Sequence, residues 1–136
     1  MQIAPYLGFN GQCQEAFKFY EQCLGGQIVA MIPHRGTPAA EHVPPDQQDR
    51  ILHARLAAGD AVLMGSDYPA GEFAAPKGIS VSLQVEDAAA AERVFHALAE
   101  GGTVQMPIQE TFFAARFGML TDRFGIPWMV NCEKAA

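Results

Sequence analysis

Two stretches of the chain alternate with a period of two: residues 3–9, with Ile3, Leu7 and Phe9, and residues 79–85, with Ile79, Val81, Leu83 and Val85. Successive side chains of a strand point to opposite faces, so both predict half-buried strands. Each is followed by a segment of helical period. Over residues 13–24, Cys13, Ala16, Phe17, Tyr20, Cys23 and Leu24 fall at i, i+3, i+4 and i+7 spacings, and over residues 87–100 Ala91, Val94, Phe95 and Leu98 form the stripe. Gly25-Gly26 and Gly101-Gly102 are the predicted stops, and Asp87 is the predicted N-cap of the second helix. Strand-like runs resume at residues 27–32 and 103–108. Two more follow in each half, at 51–57 and 61–66, and at 115–121 and 127–132. Gly59-Asp60 and Asp122-Arg123-Phe124-Gly125 supply the turns between them.

Each half therefore reads strand, helix, strand, strand, strand. The first strands align at a separation of 76 residues, Ile3 on Ile79 and Leu7 on Leu83. The prediction is an α+β fold: a single domain over residues 1–136, with two βαβββ modules (1–66 and 79–132) joined by a Pro/Gly-rich linker at 67–78. Its eight strands form a curved mixed sheet around a cup. The loop 33–50 carries Pro33, Pro38, Pro44 and Pro45 and is longer than structureless loops usually are. It is either a functional flap or a mobile insertion.

Composition narrows the class. The 136 residues carry a formal charge of −6 and a pI near 5.0, which argues against a phosphate-tracking nucleic-acid binder. Apolar residues make up 49% and charged residues 18%, a balance that excludes intrinsic disorder. No apolar run approaches the ~20 residues of a membrane helix, and the N-terminus lacks the basic and apolar regions of a signal peptide. Cys13, Cys23 and Cys132 are odd in number and widely spaced. Ten residues on a helix separate two side chains by ~15 Å, so Cys13 and Cys23 cannot bridge within one. Reduced thiols in a cytoplasmic protein are expected.

Several motifs match a known pattern nearly end to end: residues 5–11 (Pro5 to Gly11), Ala16 to Tyr20, Gly25-Gly26, His53 to Leu56, Val62 to Asp67, Gly78 to Leu83, Met106-Pro107, Arg116 to Met119 and Thr121 to Trp128. With the duplicated βαβββ pattern, they resemble the vicinal-oxygen-chelate superfamily, which includes glyoxalase I, extradiol dioxygenases and bleomycin-binding proteins. Within it the chain is similar to the PhnB-like branch, whose members are often labelled demethylubiquinone methyltransferases. That label implies an adenosyl methyl donor, which usually sits on a glycine-rich turn at a helix N-terminus. Here both glycine pairs follow helix C-termini and no G-x-G-x-x-G occurs.

The resemblance also implies where a divalent metal would be held in metal-dependent members: on the first and last strand of each module. Those positions are Ala4 or Pro5, Met64, Ser80 and Met129. None is an imidazole or carboxylate, so no metal and no other cofactor is expected. His34, His42 and Glu41, on the long loop, are the one conceivable replacement cluster.

Alternation assigns the cup face. Leu7 and Phe9 face the helices, opposite Ala4, Tyr6 and Gly8. Leu52, Ala54 and Leu56 form the apolar face of the third strand, opposite Ile51, His53 and Arg55. Aligning Met64 with Met129 sets Arg116 opposite Ile51 and Gly118 opposite His53. The cup then collects Tyr6, His53, Arg55, Met64, Ser82, Gln84, Arg116, Met129 and Asn131, with Phe113 as a wall. A few polar groups on an apolar floor suit a small organic ligand. The two arginines either bind an anionic group or pair with Asp49, Glu110 or Asp122. The expected function is a ligand-binding protein acting without a metal. The alternative is an enzyme of the same superfamily, of lyase, isomerase or dioxygenase type, working either through unexpected metal ligands or by acid–base chemistry of Tyr6, His53 and Arg116. The expected partner is a small molecule, not nucleic acid or membrane. A homodimer is also expected, because relatives commonly pair modules and the sheet has open edges.

Overall fold

The structure is a computed structural model that describes residues 1–135. The chain divides into two compact units, Met1–Ala74 and Ala75–Ala136. The first contains β1 (Tyr6–Phe9), α1 (Cys13–Leu24), β2 (Gln27–Pro33), β3 (Ile51–Ala58) and β4 (Ala61–Asp67). The second contains β5 (Val81–Gln84), α2 (Ala88–Ala99), β6 (Thr103–Gln109), β7 (Ala114–Thr121) and β8 (Pro127–Glu133). The α+β class and the duplicated βαβββ order are those the periodicity predicts. The eight strands are divided between two four-stranded mixed sheets, ordered β1-β4-β3-β2 and β5-β8-β7-β6. In each, the first strand runs parallel to the last and the other pairs are antiparallel.

In the first unit α1 starts without a side-chain cap of its own. Its first amide, Cys13 N–H, instead donates to the buried carboxylate of Asp67 at 2.9 Å, and the other oxygen of Asp67 accepts from Ile51 N–H at 2.8 Å. One side chain thus ties the ends of β4, β3 and α1 together. The helix ends at Gly25, in the left-handed conformation that glycine reaches without a Cβ clash. Phe17 and Tyr20 turn inward against Phe9 and are fully buried with Cys13, Ala16, Ala54 and Leu56. Gly65 is required there: a Cβ on it would lie 2.9 Å from the Phe17 ring and 2.7 Å from the Leu7 carbonyl.

The second unit repeats the plan with different detail. Asp87 caps α2 as predicted, accepting from Ala90 N–H at 2.7 Å. Phe95 and Leu98 of α2, and Leu120, Trp128 and Val130 of the strands α2 packs on, are all at most 2% exposed. Gly118 makes room for Phe95, since its Cβ would come within 2.6 Å of that ring. The β7–β8 turn is organised by Asp122, which accepts from the amides of Phe124 (2.8 Å) and Ile126 (3.0 Å) and from the Trp128 indole N–H (2.8 Å).

The 33–50 loop is ordered by its own polar groups. It forms two short 3₁₀ turns, Pro38–His42 and Pro45–Gln47. The Gln48 amide donates to the carbonyls of Ala40 (2.9 Å) and Val43 (3.0 Å), and Arg35 pairs with Asp49 at 2.8 Å. None of the three cysteines forms a disulfide. Among the described residues, no helix is long and apolar enough to cross a membrane.

Candidate functional site

Each sheet has one face against its helix and one open face. On the first, the register sets Tyr6 beside Met64 and Met64 beside Arg55, a row across β1, β4 and β3 on the open side. His53 lies two residues from Arg55 on the same strand and hence the same face. The Tyr6 ring reaches over β4 to His53: the two rings stack at 5.9 Å with 29° between their planes, and the Tyr6 hydroxyl lies 3.3 Å from His53 Nδ1. Arg55 points an N–H at the Met64 sulfur at 3.9 Å. Tyr6, His53, Arg55 and Met64 are thereby brought together.

Alternation misreads one end of β3. Ile51 is buried at 3% exposure, whereas Leu52 is 37% exposed, the reverse of the expected order. The β2–β3 ladder shifts register between the Ile32–His53 and Pro33–Ile51 pairs, which leaves Leu52 without a cross-strand partner. This bulge turns Ile51 into the core, beneath the Asp67 carboxylate that its amide meets.

The second sheet needs a larger correction. Met119 stands beside Met129 and Phe117 beside Asn131, while Gly118, the expected counterpart of His53, stands beside the buried Val130. Ser82 and Gln84 complete these rows from β5. Its open face therefore carries Ser82, Gln84, Met129, Asn131, Phe117 and Met119. Gln84 links Asn131 (2.8 Å) and Ser82 (3.1 Å) in a chain of side-chain hydrogen bonds. Arg116 pairs instead with Cys132, a buried helix-side residue, and its guanidinium bonds Glu92 of α2 at 3.1 Å. Arg116 thus lies on the covered face. The cause is hairpin length. The β3–β4 pair closes at Ala58–Ala61 and the β7–β8 pair at Thr121–Pro127, so the loop is two residues in one module and five in the other. The equivalent of His53 is Phe117, one residue before the position that a constant offset selects.

Phe113 belongs to this face through Phe117, with ring centroids 5.2 Å apart. Phe112 and Phe113 follow β6 and precede β7, and their rings meet edge-on at 5.2 Å. They lie at the tip of a turn that Thr111 closes by bonds to Ala114, so both rings are exposed.

Three contributors are not legible in the alternation. Phe117 and Met119 are two of them; the signal for both is the unequal loop length. Tyr68 is the third. Its ring covers Gly8 on the open face of the first sheet, where a Cβ on Gly8 would lie 2.3 Å from the Tyr68 Cε1 atom. The backbone holds Tyr68 there: its amide donates to the Phe9 carbonyl (2.8 Å), and its carbonyl accepts from Arg50 (2.7 Å).

The donor sets do not fit a hard divalent cation. Ala4, Pro5 and Ser80 precede their strands, and the residues level with Met64 and Met129 are Tyr6 and Ser82. A thioether beside a phenol or a hydroxyl lacks the carboxylate or imidazole ligands such ions need. Among the described residues, no three His, Cys, Asp or Glu side chains gather at metal-holding separation, His34, Glu41 and His42 included. Cys13 is no candidate nucleophile: burial, and then the Asp67 charge, push its thiol up to about 12.

Comparison with known proteins agrees with this architecture. Residues 1–131 match the family model described as 3-demethylubiquinone-9 3-methyltransferase. Protein YjdN of Escherichia coli is 35% identical over 143 residues, covering 98% of this chain and 97% of its own. Protein PA1353 from Pseudomonas aeruginosa is 55% identical, with a TM-score of 0.90 over 99% of both chains. A putative 3-demethylubiquinone-9 3-methyltransferase, PhnB protein, from Bacillus cereus is 25% identical, with a TM-score of 0.80 over 97% of this chain and 99% of its own. A glyoxylase/bleomycin resistance protein/dioxygenase domain from Frankia shares the fold at 14% identity and a TM-score of 0.68, over 98% of this chain and 95% of its own. The near full-length family match and the relatives of 25–55% identity make the chain a member of the 3-demethylubiquinone-9 3-methyltransferase family, PhnB-like, with the fold that the Frankia domain shares.

Proposed function

We propose that the chain is a small-molecule binding protein that holds an organic ligand on an open sheet face without a metal. The observation that supports this best is the Tyr6–His53 stack over Met64, beside Arg55: planar rings, a soft apolar floor and a few polar groups. Methyl transfer is not part of the proposal. The β1–α1 connection holds a single glycine, Gly11, and the β5–α2 connection holds none, so neither offers a glycine-rich cradle for an adenosyl donor.

The test is a thermal-shift screen of organic compounds run with a chelator. A compound that binds only the folded chain raises the Tm, and Tyr6→Ala abolishes that rise. Shifts that appear only with added divalent ion, or no shift from any compound, would refute the reading.

A second reading is an enzyme, favoured by the 3.3 Å approach of the Tyr6 hydroxyl to His53 Nδ1, within reach of direct proton transfer. Turnover of a bound compound whose kcat His53→Gln lowers far more than it weakens binding would select it. We further propose a cytoplasmic homodimer, on the three cysteines that form no disulfide and on the open edges that β1, β2, β5 and β6 present in their sheets. Light scattering at micromolar concentration tests the dimer, and a mass near 14.7 kDa would refute it.

A further inference from the structure

The chemistry of the ligand can be narrowed from the first sheet, and Arg55 supplies the means. Of the six arginines, Arg35, Arg116 and Arg123 each meet a carboxylate and Arg50 donates to the Tyr68 carbonyl, while Arg93, exposed on α2, has no ion pair among the described residues. Arg55 is partly buried, yet its side-chain partner is the sulfur of Met64. Among the described residues no Asp or Glu lies within ion-pair distance of it. The chain carries six more acidic than basic residues, so carboxylates are plentiful, and Arg55 still has none. A half-buried guanidinium keeps its charge and gains strongly from a planar, two-oxygen acceptor.

The neighbours of Arg55 set the rest of the ligand. His53 is two residues along β3, about 7 Å away. Its imidazole carries the Tyr6 ring, and Met64 lies between Tyr6 and Arg55 in the same row. Polarisable sulfur and stacked rings favour an aromatic face over an aliphatic chain. Tyr68, seated on Gly8, extends this aromatic surface along β1, and Phe73 meets it edge-on at 6.2 Å. One guanidinium matches one negative charge, and the row across β1, β4 and β3 carries no second Arg or Lys for a multiply charged phosphate.

We infer that this face takes a planar aromatic carboxylate, its ring against Tyr6 and His53 over Met64 and its carboxylate on the fork of Arg55. The inference rests on the ligand-binding reading above and adds the substrate class. Calorimetric titration with 2-naphthoate and its neutral counterpart 2-naphthamide, in chelator, tests it. The unaltered chain is expected to bind the anion at least about tenfold tighter than the amide. Arg55→Met should erase that preference by weakening the anion at least about tenfold more than the amide, whereas Tyr6→Ala should weaken both alike. If Arg55→Met fails to fold, Arg55→Lys decides: losing the fork should cut the preference at least about threefold. Equal binding of the two compounds by the unaltered chain, or a preference that survives removal of the guanidinium, would overturn the inference. If neither naphthalene compound binds while others raise the Tm through Tyr6, the aromatic-carboxylate inference falls and the ligand-binding reading stands. If no compound raises the Tm, both fall.

Discussion

Asp122→Ala should be among the most destabilising single substitutions in this chain, although it removes only a small side chain. The carboxylate is 3% exposed and accepts three hydrogen bonds of 2.8–3.0 Å. Hydrogen bonds to charged groups contribute roughly 1.5–3 kcal/mol each, so these three set an upper limit near 9 kcal/mol. The lower limit comes from the donors left behind. The Phe124 and Ile126 amides lie in a turn, where water can replace part of the loss. The Trp128 indole N–H sits in a ring that is 1% exposed, and losing its acceptor there costs about 1–3 kcal/mol alone. We expect about 3–5 kcal/mol in total, a large share of the roughly 5–15 kcal/mol that typically stabilises a domain. The assay is urea unfolding followed by far-UV circular dichroism, because Trp128 is the only tryptophan and its fluorescence is lost when it is replaced. Asp122→Asn sharpens the test. Its amide keeps one acceptor for the turn but can present an N–H to the indole N–H. Trp128→Phe should therefore be at least about 1 kcal/mol less costly in the Asp122→Asn variant than in the native chain. A loss below about 1 kcal/mol for Asp122→Ala, or additivity in the double-mutant cycle, would refute the role assigned to this carboxylate.

Gly118→Ala should cost about 1–3 kcal/mol in the same urea titration, because the new methyl meets the Phe95 ring at 2.6 Å and the Ile108 backbone at 3.0 Å. Gly8→Ala should leave the fold intact but displace Tyr68, so that any thermal shift produced by an aromatic ligand shrinks while the unliganded Tm changes little. The raised pKa of Cys13 means that the native state holds its proton longer than the unfolded chain does. Its contribution is complete below about pH 9 and is lost as pH rises toward 12, with a slope of at most about 1.4 kcal/mol per pH unit. Cys13→Ala should flatten the pH dependence of the urea midpoint in that window, and an unchanged profile would contradict the assignment. Arg116→Met should cost less than about 1 kcal/mol, as expected for a partly exposed pair with Glu92, and should not alter the response to any ligand that Tyr6→Ala abolishes.

The architecture was legible in one dimension because its signals are local. Period-two alternation marked β1 and β5, period-3.6 stripes marked α1 and α2, and Asp87 and Gly25 act at the helix ends where capping chemistry puts them. On the first and last strands of each unit, where pairing is regular, alternation also placed Tyr6, Met64, Ser82, Gln84, Met129 and Asn131 on one side of their sheets. Tertiary structure decided what depends on register. A bulge opposite Pro33 exchanged the faces of Ile51 and Leu52, and a five-residue turn in place of a two-residue one moved Arg116 under α2 and brought Phe117 out. A strand has period two, so a slip of one residue inverts every face downstream, and no local propensity records it. The approach of Tyr6 to His53, 47 residues apart, and the seat of Tyr68 on Gly8 are likewise consequences of which strands become neighbours.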